Sequence, residues 1–229
     1  MKPSAKHNGF SQLDLLLILL ALAGIVLVIL PVMARTRARS SKLSCTNHLK
    51  QVGLAFRIWA GDNNDEYPQQ TSVTNGGALE WAEQGSAYQV FLVMSNELST
   101  PKVLVCPEEN NRQRRAANTF VSPPVIGNPA PGIPFTATNN LSYFVGLDAV
   151  DTQPNTILSG DDHLQTGQTK PPPGLLLLAT NTPVAWANGR HKSAGNLGFG
   201  DGSVQGFSST ALRTALANTG VETNRLVMP

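Results

Sequence analysis

Residues Gly9–Pro31 read GFSQLDLLLILLALAGIVLVILP, and the rest of the chain is organised around them. One acid, Asp14, stands at the head of sixteen uncharged, mostly branched residues, Leu15 to Leu30. At helical rise this run measures about 24 Å, short of a hydrocarbon core of about 30 Å. Extending it over Phe10–Leu13 and Val32–Ala34 makes it long enough to span. The stretch is therefore a membrane segment, an export signal or both. A cleaved signal peptide would use Lys2 and Lys6 as its basic region and Val32-Met33-Ala34 as its cleavage site. Two features argue against that reading. The run is at or beyond the usual upper length of such a core, and an aspartate in hydrocarbon costs about 2.5–3.5 kcal/mol mid-helix. An acid kept at that cost usually has a partner.

With Gly9 before Phe10 and an acid four residues further on, the stretch resembles the leader and first helix of the type IV pilin-like proteins. The resemblance implies that residues 1–9 are a leader cut by a prepilin peptidase between Gly9 and Phe10. It also implies that Phe10 is then N-methylated, and that Asp14 pairs with the N-terminus of a neighbouring subunit. Pro31 sits where many such helices carry a kinking proline. Asp14 replaces the commoner Glu, and Gln12 stands where an apolar residue is usual.

The second informative stretch is Arg190–Phe207, RHKSAGNLGFGDGSVQGF. Asp201-Gly202 between two short β-like runs signals a type I′ hairpin, in a register that sets Phe199 opposite Val204. His191 precedes Asp201 by nine intervening residues. This resembles the H-x9-D-G signature of a C-terminal domain associated with prepilin-type leaders, so both ends of the chain point to one family. His191, Asp201 and Gly202 are read as structural, with His191 hydrogen-bonded and tying the loop to the hairpin. Metal ligation and catalysis are the other roles open to His191. No G-x-S-x-G or H-E-x-x-H motif supplies a nucleophile or a metal site to complete a catalytic arrangement.

Charge is close to balanced at +2, with only 14% charged residues, which gives no global nucleic-acid signature. Twenty glycines and 16 prolines favour a loop-rich, partly β domain. The two cysteines, Cys45 and Cys106, are an even count in an apparently exported chain and predict one disulfide, with two buried thiols as the alternative. They are too few for a zinc site unless a histidine joins them. Lys2 and Lys6 precede the apolar run, while Arg35, Arg37, Arg39 and Lys42 follow it. Read alone, that asymmetry would put the C-terminal domain in the cytoplasm. The leader match and the cysteine pair favour the opposite orientation.

Beyond Pro31 the helix is expected to continue to about Ala60, membrane-spanning over 10–34 and amphipathic over 35–61. Its apolar stripe is Leu43, Leu49, Val52, Phe56 and Trp59. Asp62, Asp65 and Glu66 form a turn whose spacing does not match a calcium loop. Residues 68–89 read as loop, Tyr88–Ser95 as a short helix or strand, and Pro101–Cys106 as a β-run facing the long helix. Arg112, Arg114 and Arg115 read as a solvated loop, a subunit contact or a DNA contact. Residues 122–140 read as turn and extended loop, and Leu141–Leu147 as a strand. Asp148, Asp151, Asp161 and Asp162 are hard-oxygen candidates for calcium, and no other cofactor is expected. Leu175–Ala179 reads as a strand buried on both faces. A closing helix capped by Ser208 or Ser209 runs to about Asn218, with Leu212, Ala215 and Leu216 inward.

The expected fold is α+β, a long N-terminal helix packed on an antiparallel sheet, with residues 62–229 as the β-rich domain. The resemblance implies a structural pseudopilin of a type II secretion or type IV pilus-like filament rather than an enzyme. Its partners would be the prepilin peptidase, copies of itself and related pseudopilins, with no role for nucleic acid. Its place would be the bacterial inner membrane, single-pass, with the C-terminal domain in the periplasm. The alternative is an exported binding or enzymatic module held by an uncleaved or signal-peptidase-cleaved N-terminus.

Overall fold

The computed structural model describes residues 12–120 and 132–229. Gly9 and Phe10, and most of the turn-rich loop expected over 122–140, lie outside the described residues. The chain is α+β. Helix α1 spans Gln12–Asp62. Short helices α2 (Leu79–Glu83), α3 (Ala87–Val93) and α4 (Ser95–Leu98) follow it. Eight strands come next: β1 (Tyr143–Gly146), β2 (Ile157–Asp161), β3 (Leu164–Thr166), β4 (Gly174–Ala179), β5 (Val184–Trp186), β6 (Ala194–Phe199), β7 (Val204–Ser208) and β8 (Thr223–Met228). Helix α5 (Ser209–Ala217) lies between the last two. The sheet order is β4-β8-β1-β2-β6-β7, with every neighbouring pair antiparallel. A separate ribbon pairs β3 with β5. Compact packing divides the chain into residues 1–41 and 42–229.

In the first unit Gln12–Leu30 is long and apolar enough to cross a membrane, and its large side chains are exposed. In the second, Cys45, Leu49, Val52, Phe56 and Trp59 are buried at spacings of four and three, the period of one helix face. Leu43, expected on that stripe, is 62% exposed, and Cys45 begins it instead. Alternation along β1 sends Tyr143 and Val145 into the cluster that holds these α1 residues. It sends Phe144 into a second cluster with Leu197, Leu212, Leu216, Leu226 and Trp186.

Several local expectations change. Pro101–Cys106 is not a strand, because Pro101 occupies the first turn of a 3-10 helix, Pro101–Leu104, capped by the Thr100 hydroxyl. A proline with fixed φ and no N–H suits that position and not a ladder. Residues 68–89 contain α2 and the start of α3, where loop was expected. Strand β4 pairs only with β8 and is an edge; it is covered on one face, so Leu175 and Leu177 are exposed (44% and 57%) while Leu178 is buried. Helix α5 begins where expected, with the Ser208 hydroxyl accepting from the Ala211 N–H.

The hairpin turn differs from the expected one. Gly202 has φ 80°, but Asp201 is not left-handed, so the turn is not type I′. Gly202 N–H donates to Phe199 O (2.9 Å) and Phe199 N–H to Ser203 O (2.9 Å), and Gly198 rather than Phe199 stands opposite Val204. The connection is one residue longer than a two-residue turn, with the glycine at its left-handed position. Arg57 of α1 donates to Asp201 O (3.0 Å), and Tyr67 OH to Gly200 O (2.6 Å).

Candidate functional site

The densest chemistry gathers around Arg190 and His191, in the connection between β5 and β6. Cys106 ends the segment after the 3-10 turn and is joined to Cys45 of α1 by a disulfide, with Cα atoms 5.2 Å apart. Glu108 and Glu109 follow it within three residues. Asp161 ends β2, and Asp162 and His163 lead into β3. These segments come from four places in the chain and converge on one buried layer.

Arg190, 2% exposed, donates to Glu109 Oε2 (2.8 Å), Asp162 Oδ1 (2.5 Å) and His163 Nδ1 (3.0 Å). Arg114 reaches the same two acids, Glu109 at 3.1 Å and Asp162 at 2.5 Å. Ser142 Oγ donates to Glu109 (2.8 Å), and Lys170 approaches Asp162 at 3.6 Å. Two guanidinium groups and two carboxylates thus compensate one another where water is largely excluded, the condition under which buried ions are tolerated. Burial pushes the Glu109 and Asp162 carboxyls up, but the Arg190 charge beside both, with Arg114, holds them below the usual carboxylate range.

His163 is fixed by its partners. Its Nε2–H donates to Ala194 O (2.8 Å), which leaves Nδ1 as the acceptor facing Arg190. The ring stacks on Trp186 with centroids 5.0 Å apart. Burial, then the Arg190 charge, drive its pKa down to about 3, so it is neutral at ordinary pH. Asp161 is fully buried, and its Oδ2 accepts from the Asn196 N–H (2.8 Å) and side-chain amide (2.9 Å). Burial raises its pKa against the pull of Arg190 and His191.

His191 sits against the disulfide. Its Nε2 is 3.3 Å from Cys106 Sγ and 3.6 Å from Asp161 Oδ2. Its Nδ1 is 2.8 Å from Glu108 Oε2 without a hydrogen bond to it, and that oxygen accepts from the His191 backbone N–H (3.0 Å). The backbone here is unusual: His191, Lys192 and Ser193 have φ of 50°, 55° and 60°, three successive left-handed residues without a glycine. Each costs about 1–2 kcal/mol, and Ser193 Oγ bonds Asn188 Oδ1 across the turn. Such strain persists only where the surroundings over-determine it.

His191 and Asp201 do not meet. Asp201 Oδ1 accepts from the Ser203 N–H (2.9 Å) and shapes the hairpin turn, while His191 binds the Glu108 segment. The expected tie between loop and hairpin is thus replaced by one between loop and disulfide. The four aspartates named for calcium also separate. Asp148 pairs with Arg225 (2.7 Å), Asp151 with Arg57 (3.6 Å), and Asp161 and Asp162 enter the buried layer through different partners. Among the described residues they form no group placed to hold a metal ion; Cys45, Cys106 and His191 bring their sulfurs and a ring nitrogen within 4.8 Å of one another, with the two sulfurs joined in the disulfide. Arg114, expected in a solvated loop, is 6% exposed in its side chain and part of the buried layer. Asp14 lies in the first turn of α1.

Sequence reasoning assigned no role to Glu108, Glu109, Arg190, His163 and Asn196, and placed Arg114 in a loop. A signal existed in Asp161-Asp162-His163, three ionisable residues directly following the apolar run of β2. Such residues beside a buried strand need partners. Chemically, the site holds two histidines, but among the described residues no hydroxyl nucleophile bonds to either imidazole. A separate cleft of about 450 Å³ is lined by Gln69, Asp148, Gln153 and Arg225. Compared with protein-family models, curated proteins and solved structures, the chain matches none.

Proposed function

We propose that this chain is a membrane-anchored, pilin-like filament subunit, a pseudopilin. Prepilin peptidase would cut it between Gly9 and Phe10, and its N-terminal helix would drive assembly. The observation that carries the reading is the composition of α1 along its length. One continuous helix begins as a lipid-compatible segment, Gln12–Leu30, with Asp14 in its first turn. From Cys45 onward it contributes its buried face to the core of an α+β unit. That division of labour suits a subunit whose apolar half packs in a filament and whose other half carries a domain laid on a sheet. The work is assembly rather than catalysis, and the buried layer around Arg190 serves the fold.

Cleavage would expose an amine at Phe10, and a neighbour's Asp14 would meet it in low dielectric, where pairing offsets part of the desolvation of both charges. The anchor is placed in the bacterial inner membrane with residues 62–229 in the periplasm, where an oxidising environment maintains the Cys45–Cys106 bridge. Partners are other copies and related pseudopilins. The test compares filament yield with membrane-fraction protein for two variants. Asp14→Ala should insert in the membrane yet assemble poorly, and Asp14→Glu should assemble. Normal filaments from Asp14→Ala would remove the pairing mechanism.

A further inference from the structure

We infer that the cleft lined by Gln69, Asp148, Gln153 and Arg225 binds a neutral saccharide. The site lies within residues 42–229 and does not depend on the filament reading. Its volume, about 450 Å³, is within the range of small-molecule sites. Gln69, in the cleft wall, is 1% exposed. Its Nε2 donates to Gly146 O (3.2 Å), and its Oε1 has no hydrogen-bond partner among the described residues. Turning the amide over would set Oε1 against the Gly146 carbonyl, so the unpaired atom is fixed as an acceptor. A buried acceptor left unpaired costs free energy that a donor carried by a ligand would recover.

The remaining polar groups of the lining supply both donors and acceptors. Gln70 Oε1 accepts from the Tyr67 N–H (3.1 Å), which leaves its amide hydrogens for a ligand. Arg225 is tied to Asp148 through its backbone N–H (2.8 Å) and its Nε (2.7 Å), which leaves its terminal amines as donors. Glu83 adds a carboxylate and Gln153 an amide, each on an exposed residue. A hydroxyl donates and accepts at once, so a polyol meets both kinds of group. Leu79, Leu147 and Val221 add apolar surface for the C–H groups of a sugar ring.

Charge and topology disfavour the other classes of ligand. An anion, such as a phosphate or a uronic acid, would meet the carboxylates of Glu83 and Asp148, and a cation would meet the Arg225 guanidinium. An extended peptide gains most of its affinity by adding to an open strand edge. Strand β8, which carries Arg225, is paired with β1 on one side and β4 on the other, so it offers no such edge. A neutral molecule with several hydroxyls is the class that the lining fits.

The test uses the full chain in a polyoxyethylene detergent, which carries no sugar headgroup. Saturation-transfer NMR titrations are run with maltose, cellobiose, lactose and diacetylchitobiose, and with triglycine, trilysine and glucuronate as controls. At least one of the neutral saccharides should bind saturably, and the controls should not. Gln69→Met should weaken that binding about fivefold, and Glu83→Ala about tenfold, the effect of losing a neutral and a charged hydrogen bond. Failure of every neutral saccharide to bind would overturn the inference, as would any control binding equally well. So would unchanged affinity in Gln69→Met whose circular dichroism matches the parent. If that variant fails to fold, the exposed positions decide, and unchanged affinity in both Glu83→Ala and Gln153→Ala overturns the inference.

Discussion

His163 is the residue whose surroundings make the clearest demand on solution conditions. Its Nε2–H is committed to Ala194 O and its Nδ1 to the Arg190 guanidinium, so a second proton would point at a positive charge. The folded pKa of about 3 lies below the ordinary value near 6.5, so the unfolded chain takes up the proton first. Stability from this group is therefore full above about pH 6.5 and is lost as pH falls toward 3, by up to about 1.4 kcal/mol per unit. His48, also depressed by burial, adds in the same direction, and Asp161, raised by burial, opposes. Glu109 and Asp162, held low, lose their contribution only in the carboxylate range below about pH 4. His163→Gln can keep both hydrogen bonds without titrating. Its melting temperature should fall less than that of the parent between pH 7 and pH 5. Parallel curves would show that His163 is not buried neutral.

At the scale of elements, the edge strand β4 and the disulfide give the sharpest expectations. Leu177 faces solvent and Leu178 the core, one residue apart. Leu177→Lys should change stability by less than about 0.5 kcal/mol, and Leu178→Ala should cost about 2–4 kcal/mol, both read by denaturant unfolding. Equal, large losses would restore a strand buried on both faces. Replacing Cys45 and Cys106 by alanine should cost roughly 3–4 kcal/mol, because the bridge closes a loop of 61 residues. These elements also mark how far the sequence could be read. Helix α1, the strand near Tyr143, the β6–β7 hairpin and the Ser208 cap follow from local periodicity and turn chemistry. Edge status of β4 does not, since a Leu-rich run looks the same with one neighbour or two. Pro101–Leu104 misleads because Val103 and Leu104 are as buried as strand residues, while Thr100 and Pro101 start a 3-10 turn. The buried layer is set by pairs such as Arg190–Glu109, separated by 81 positions, and no local signal records them. The sequence marks Asp161 and Asp162 as unusual acids, but their partners lie far along the chain.

At the scale of the whole molecule, α1 changes character along its length: Gln12–Leu30 is apolar and exposed, and from Cys45 onward one face is buried in the core. The bridge between Cys45 and Cys106 fastens the segment after Leu104 to the same helix whose start, Gln12–Leu30, is long and apolar enough to cross a membrane. In the proposed filament each Asp14 would meet the new N-terminus of a neighbouring subunit. The intact mass of the mature protein, isolated from the membrane fraction of its native cells, tests this most directly. The expected mass is that of a chain beginning at Phe10 with one added methyl group and an intact disulfide. A chain beginning after Ala34, or one that retains Met1–Gly9, would contradict it.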